Sequence, residues 1–258
     1  MTKRLAGLTA IVTGGAGGIG SAVGVLFCEE GASVLLVDRE LAATKAAADG
    51  IREQVPEARV SHAALDLSQE AAAAEAVALA KDAFGSLDCL VNNAGIRAYE
   101  PLSEARSETW QNIIAVNLLS YAYLAREALP HLRASPAGSI VNVSSTHAFN
   151  PRPGMGQYDV TKAGIISLTR TLAAEEAPHG VRVNAVCPGP TLTPFHVRRA
   201  EADGKTRHDL ETERRRDCLM GRWGTPREAA YPILWLASKE ASFVTGTAIM
   251  VDGGMPVI

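Results

Sequence analysis

The chain has few aromatic residues and no surplus of positive charge. Phe, Trp and Tyr make up 5%, and 25 Lys and Arg stand against 28 Asp and Glu, for a net charge of −3. A nucleic-acid binder would show a basic footprint, so that class is set aside. Cysteine is scarce too. Cys28, Cys89, Cys187 and Cys218 lie far apart, with no C-x-x-C motif and no metal-type pair, which reads as buried thiols in a reducing compartment and no metal. No apolar run approaches the roughly 20 residues of a membrane span. The apolar run Leu8–Thr13 that follows Met1-Thr2-Lys3-Arg4 is too short, and too soon followed by glycines, for a secretion signal. The expectation is a soluble, cytoplasmic protein.

What is present is ordinary globular material. The 258 residues are 47% hydrophobic and 21% charged, enough for a large core without disulfide or metal. Short β-branched runs recur at Ala10–Thr13, Ser33–Val37, Arg59–His62, Cys89–Val91, Ser139–Val143, Val181–Val186 and Ala248–Val251. Their few charges fit strands buried on both faces, as in a parallel sheet. Helical patterns lie between them: Gly18–Glu30, the Ala-rich Gln69–Phe84, and the longer Ser103–Leu132 and Tyr158–Ala177. Parallel strands joined by such crossovers give a doubly wound α/β sheet of the Rossmann type in a single domain over 1–258. Residues 191–224 interrupt the alternation with a polar stretch of nearly balanced charge. It is either a solvated helical insertion or a lid over a site at the carboxyl ends of the strands.

The first strand runs into Thr13-Gly14-Gly15-Ala16-Gly17-Gly18-Ile19-Gly20, and a helix follows. Such a turn lets backbone N–H groups approach a pyrophosphate at the helix N-terminus. Two glycine frames fit, Gly15/Gly17/Gly20 and Gly14/Gly18/Gly20. Asp38, at the end of the second strand, stands where a carboxylate meets the adenosine ribose hydroxyls. A carboxylate there accepts from the 2′-OH of NAD and repels the 2′-phosphate of NADP. Arg39 beside it could pair with that phosphate. The turn itself holds no Arg or Lys, and NAD is the expected cofactor.

Tyr158 and Lys162 spell Y-x-x-x-K, which places both side chains on one face of a helix. A free tyrosine, with a pKa of about 10, is a poor base at neutral pH. An ammonium beside it stabilises the phenolate and lowers that pKa. Ser145 precedes Tyr158 by thirteen residues, at the end of the strand Ser139–Val143. Asn117 sits in the apolar stretch Ala115–Leu118, where a polar side chain needs a partner. Asn92-Asn93-Ala94-Gly95 follows directly from another strand.

With these residues the sequence resembles the short-chain dehydrogenase/reductase family, in the subtype whose chains run to about this length. The resemblance covers essentially the whole chain. It rests on the glycine turn in the Gly14/Gly18/Gly20 frame, Asp66 in Leu65-Asp66-Leu67, Asn92–Gly95, Asn117, Ser145, Tyr158 and Lys162. It extends to Pro188-Gly189 with Thr193 and the ending Val251-Asp252-Gly253-Gly254. It implies that Tyr158 moves a proton to or from the substrate oxygen, that Lys162 also holds the nicotinamide ribose, that Ser145 orients the substrate oxygen, and that Asn117 fixes a water. It implies cofactor contacts from Ile19, Asp66, Leu67, Asn93, Ala94, Gly95 and Thr191, with the carboxamide held at Pro188–Leu192 and the Thr193 hydroxyl. It also implies a homotetramer. The apolar surplus in Ser103–Leu132 and Tyr158–Ala177 fits a subunit contact.

The segments that would form the substrate pocket supply Arg97, His147, Asn150, Arg152, His196, Arg198 and Arg199. Large aliphatic side chains would be expected there for a steroid or long acyl chain. Polar and cationic ones suit a sugar, a polyol or an anionic alcohol, and Arg97, His147 and Arg152 carry most of that expectation. His62, His131, His179 and His208 read as ordinary surface or core histidines. The alternatives are an NADP-dependent ketoreductase of acyl or steroid substrates and a non-catalytic NAD sensor on the same fold.

Overall fold

The computed structural model describes residues 3–255. Seven parallel strands form one sheet in the order β3-β2-β1-β4-β5-β6-β7. They are β1 Thr9–Thr13, β2 Ser33–Asp38, β3 Arg59–Ala64, β4 Cys89–Asn92, β5 Ser139–Val143, β6 Arg182–Pro188 and β7 Ala248–Val251. Each expected strand is present, most extended by one or two residues.

Alternation along the strands explains their apolar continuity. Val12, Val34, Leu36 and Val91 face one layer, while Ile11, Leu35, Val37 and Leu90 face the other. The first layer holds α1 (Gly18–Glu29), α2 (Leu41–Gln54) and, beyond the insertion, Pro226–Ala237, through Val23, Phe27, Ile51, Ile233 and Leu234. The second holds α3 (Ala71–Phe84) and the helices that follow β4 and β5. Asp88 ties the amino ends of three strands: its carboxylate accepts from Thr9 N–H (2.8 Å) and from the Ser135 hydroxyl (2.6 Å), and its carbonyl accepts from Ser139 N–H (3.0 Å).

The helix expected over Ser103–Leu132 is not one rod. It begins as α4 at Ser107–Ile114, passes through a π-turn at Ala115–Leu119 and resumes as α5 at Ser120–Ala134. Residues 101–106 instead form turns. There the Glu100 carboxylate accepts from Arg106 N–H and the Thr109 hydroxyl, and Leu102 packs over Gly156, where a Cβ would meet it at 2.5 Å. The second long helix, α6, spans Gly156–Glu176.

The insertion folds into α7 (Pro194–Ala202) and α8 (Arg207–Thr212), followed by α9 (Pro226–Ala237). A parallel bridge between Thr191 and Gly224 closes its base. Capping boxes, Thr206 with Asp209 and Thr225 with Glu228, start α8 and α9. Among the described residues, no helix is long and apolar enough to cross a membrane.

Candidate active site

The strand order reverses between β1 and β4, and doubly wound sheets bind ligands in the crevice this leaves at the carboxyl ends. A cleft of about 990 Å³ opens there. Asp38, Arg39, Asp66 and Leu67 line one end, and Gly14, Gly18, Ile19, Asn93, Ala94 and Gly95 its middle. Ser145, Tyr158, Lys162, Pro188, Gly189, Thr191 and Thr193 lead to the far end, where Arg97, His147, Arg152 and His196 stand.

The glycine turn is built for close approach. Gly14 has φ +63°, and a Cβ on Gly18 would meet the Thr193 side chain at 2.9 Å. Gly20 does not line the cleft. A Cβ there would fall 2.1 Å from the Gly14 carbonyl oxygen, so this glycine lets the turn fold onto the helix. The structure thus uses the Gly14/Gly18/Gly20 frame, while Gly15 packs against Leu36 of β2. The Asp38 carboxylate accepts from Ala16 N–H (3.0 Å) and Arg39 N–H (2.8 Å), which fixes it at the strand tip. The Asn93 amide donates to the carbonyls of Thr13 (2.9 Å) and Gly14 (3.2 Å), and the Thr13 hydroxyl accepts from Asn93 and Ala94 N–H. Bare backbone at a helix N-terminus, a fixed carboxylate and this lock fit the pyrophosphate and ribose of a dinucleotide.

Tyr158 and Lys162 lie one turn apart on α6 and are both buried. The Lys162 ammonium donates to the Val143 carbonyl at 2.8 Å and stands 5.6 Å from the Tyr158 ring. Burial pushes Lys162 down to about 7, with the Arg97 charge adding to the effect. Burial also raises Tyr158 above its ordinary value, opposed by the Arg97 guanidinium and a hydrogen bond with Ser145. The sequence assigns a downward pull on the tyrosine to the Lys162 ammonium. In the free protein that pull comes from Arg97 and Ser145, because the lysine has itself lost solvation.

Asn117 is fully buried within the π-turn and is not part of the cleft wall. Its Oδ1 accepts from Ile96 N–H (2.8 Å), and its Nδ2 donates to Ile96 O (2.9 Å) and to Thr161 Oγ1 (3.2 Å). The partner required by a polar residue in an apolar stretch is therefore the backbone just after Asn92–Gly95. Asn150 departs from the expectation. Its side chain is exposed and away from the cleft, because the chain here turns outward. It contributes its carbonyl instead, which accepts from His147 Nδ1 at 3.1 Å. That contact places the His147 proton on Nδ1 and leaves Nε2 as an acceptor.

His196 is fixed in the same way. Arginine only donates, so the 3.2 Å contact from Arg97 falls on an unprotonated Nε2, and Nδ1–H donates to Thr193 Oγ1 at 2.9 Å. Burial and four surrounding arginines, Arg97 foremost, hold His196 down at about 4. Sequence reasoning did not foresee Tyr99, Phe195, Arg215 or Trp223, which also line this end. Three of them come from the insertion, whose irregular sequence carries no periodic signal. Nor did it foresee Tyr121, whose buried hydroxyl shares its one proton between the Ala94 (3.0 Å) and Val143 (3.2 Å) carbonyls.

Comparison with known proteins matches this geometry. The sequence profile of a family described as enoyl-(acyl carrier protein) reductase covers residues 14–256. The chain is 35% identical to 2-(S)-hydroxypropyl-CoM dehydrogenase 3 of Xanthobacter autotrophicus over the whole of both chains. The chain belongs to the short-chain dehydrogenase/reductase family. Within that family it is 38% identical to 3beta-hydroxysteroid dehydrogenase 1 of Eggerthella lenta, over 99% of this chain and 96% of that one. The crystal structure of L-sorbose reductase from Gluconobacter frateurii, complexed with NADPH and L-sorbose, superimposes with a TM-score of 0.92. It is 33% identical and the match covers 99% of this chain and 98% of that one. As a short-chain dehydrogenase/reductase, the protein is an oxidoreductase of CH–OH groups that works with a nicotinamide cofactor.

Proposed function

We propose that the protein interconverts a secondary alcohol or hemiacetal and its carbonyl on a small polar molecule (a sugar, a polyol or an anionic alcohol) using NAD(H). The bound nicotinamide supplies hydride acceptance and donation. Ser145 and Tyr158 converge on the cleft and hold the substrate oxygen. Ser145 is itself steadied by His147 N–H, which donates to its Oγ at 3.1 Å. Burial keeps the proton on resting Tyr158 at neutral pH, the form that donates to a carbonyl; oxidation requires it to leave. Lys162, held on the Val143 carbonyl one helical turn from Tyr158, holds the ribose and steadies the phenolate. Asn117 acts on this site through Ile96 and fixes the proton-carrying water.

Asp38 is the observation that carries the choice of NAD. Its carboxylate is held at the tip of β2 by two backbone donors, where a 2′-phosphate would meet negative charge. Arg39 gives less help to that phosphate than its position suggests, because its Nε lies on Glu40 at 3.3 Å. The substrate class follows from the far wall, where Arg97, His147, Arg152 and His196 stand in place of aliphatic side chains. Helices α7 and α8 form the lid over this wall, and the assembled protein is a homotetramer.

The test compares NAD with NADP in initial-rate assays across aldoses, polyols, hydroxy acids and hydroxysteroids. Higher kcat/KM with NAD is expected, with the preference reduced at least tenfold in Asp38→Ser, and turnover concentrated on the polar panels. Equal or better use of NADP by the wild type, or turnover confined to hydroxysteroids, would overturn the reading.

A further inference from the structure

Many exposed arginines of this molecule pair with a carboxylate. Arg106 pairs with Glu100, Arg133 with Glu176, Arg222 with Glu228 and Arg227 with Glu29. At the far wall of the cleft this holds for Arg215, which pairs with Asp217 and Glu213 and lies 4.0 Å over the Trp223 ring. It does not hold for Arg97 and Arg152, nor for Arg198 and Arg199, of which Arg199 stacks on the Tyr99 ring at 4.3 Å. Among the described residues, none of the four has a carboxylate within ion-pair distance. The half-buried Arg97 guanidinium contacts His196 Nε2 at 3.2 Å and Tyr99 Oη at 3.5 Å, and packs between the rings of Tyr158 (5.5 Å) and Phe195 (5.1 Å). Arg152 contacts Met155 Sδ at 3.0 Å. Asp217 pairs with Arg215, and the buried Asp159 accepts from the Arg152 backbone N–H through Oδ2 at 2.9 Å, its Oδ1 having no hydrogen-bond partner.

From this we infer that Arg97 and Arg152 form an anion subsite beside Tyr158, so that the alcohol turned over here carries a carboxylate or sulfonate a few bonds from its carbinol carbon. The inference rests on the dehydrogenase reading above and narrows its substrate class. Guanidinium is donor-only and permanently charged. A neutral polyol would satisfy the hydrogen bonds of the half-buried Arg97 but leave its charge unmatched, whereas an oxyanion satisfies both, with the exposed Arg152 contributing from the rim. Two features show that the cations are held in place. His196 stays neutral and accepts from Arg97, with its own Nδ1–H secured on Thr193. The Asp159 carboxylate pins the backbone of Arg152. Because Arg97 packs on the ring of the proton-transferring tyrosine, an anion seated on it lies within a few bonds of the reacting carbon.

The test uses the full chain with NADH bound and histidine labelled with ¹⁵N. Acetate and methanesulfonate are titrated separately while the His196 resonances are followed, with sodium chloride as the ionic-strength control. A saturable shift is expected with at least one oxyanion, weakened at least tenfold in both Arg97→Gln and Arg152→Gln. The arm that saturates tells carboxylate from sulfonate. In parallel, kcat/KM is compared for 3-hydroxybutyrate and its neutral amide, and for 2-hydroxypropane-1-sulfonate and the matching sulfonamide. At least one anion is expected to exceed its neutral partner thirtyfold in the wild type and to lose that advantage in Arg97→Gln. Shifts that only track chloride, or an equal response in wild type and variants, overturn the subsite even if neutral alcohols are oxidised. If no alcohol reduces NAD, the dehydrogenase reading fails, while the binding titration still decides whether the anion site exists.

Discussion

At the scale of single residues, the site is held together by side chains that work against folding. Lys162 is the clearest. Its ammonium is buried, and its pKa falls from 10.5 to about 7. Between those values the unfolded chain binds more protons than the native one, so native stability rises with pH across that window and the burden of the lysine is greatest at and below pH 7. Lys162→Met should therefore stabilise the free protein at pH 7 by on the order of 4 kcal/mol, while turnover falls by orders of magnitude. The Val143 carbonyl can still accept from the Tyr121 hydroxyl at 3.2 Å, whose one proton it shares with the Ala94 carbonyl. Urea unfolding at several pH values checks this: the gain should shrink towards pH 10. A variant less stable than wild type at pH 7 would show that the ammonium is well compensated. Tyr158, Lys162 and Ser145 were legible because chemistry demands those residue types at that spacing. The depressed lysine and the role of Arg97 were not, because desolvation depends on neighbours that sequence order does not reveal.

At the scale of elements, the π-turn is what the hydrophobic period could not show. The apolar pattern across residues 107–134 continues through it with only a change of phase, so one long helix was the natural reading. The extra residue in the turn carries Asn117 inward onto Ile96, where it serves a backbone N–H and a carbonyl together. π-Turns inside helices often mark functional sites, and here the device fixes the segment between Asn92–Gly95 and Arg97. Asn117→Leu should cost about 2–6 kcal/mol, since two backbone groups lose their partners at about 1–3 kcal/mol each. It should also depress kcat with a smaller effect on cofactor affinity. Chemical denaturation with fluorescence titration of NADH measures both, and an unchanged unfolding midpoint would remove Asn117 from the scaffold. The strands, in contrast, were readable almost to the residue, because burial on both faces leaves few charges in them. The insertion was visible only as an interruption; its aromatic and cationic lining comes from α7 and the irregular chain before α9.

At the scale of the whole molecule, much of the apolar surplus in the long helices is absorbed within one subunit. Ile113, Tyr121, Leu124, Ile165, Ile166 and Leu172 are buried in the single chain. Leu119 and Val160 remain exposed on this side, and Phe243 stands fully in solvent before β7. These leftover positions support the proposed assembly more narrowly than the sequence pattern did. Multi-angle light scattering at micromolar concentration should give four times the chain mass of 27.2 kDa; a monomer would reject the assembly. The sheet order has one more consequence. The β3-β2-β1 half, with Asp38 and Asp66, faces the end of the cleft proposed for adenosine. The reacting end is built from chain that begins at β4. The halves meet at Thr13 and Asn93, through contacts that each pair a side chain with a backbone group. Preference for one dinucleotide and preference for one alcohol are thus written on consecutive stretches of the gene. Descent with modification can revise either stretch alone, so relatives of this chain can share their chemistry while diverging separately in what they oxidise and in which dinucleotide they use.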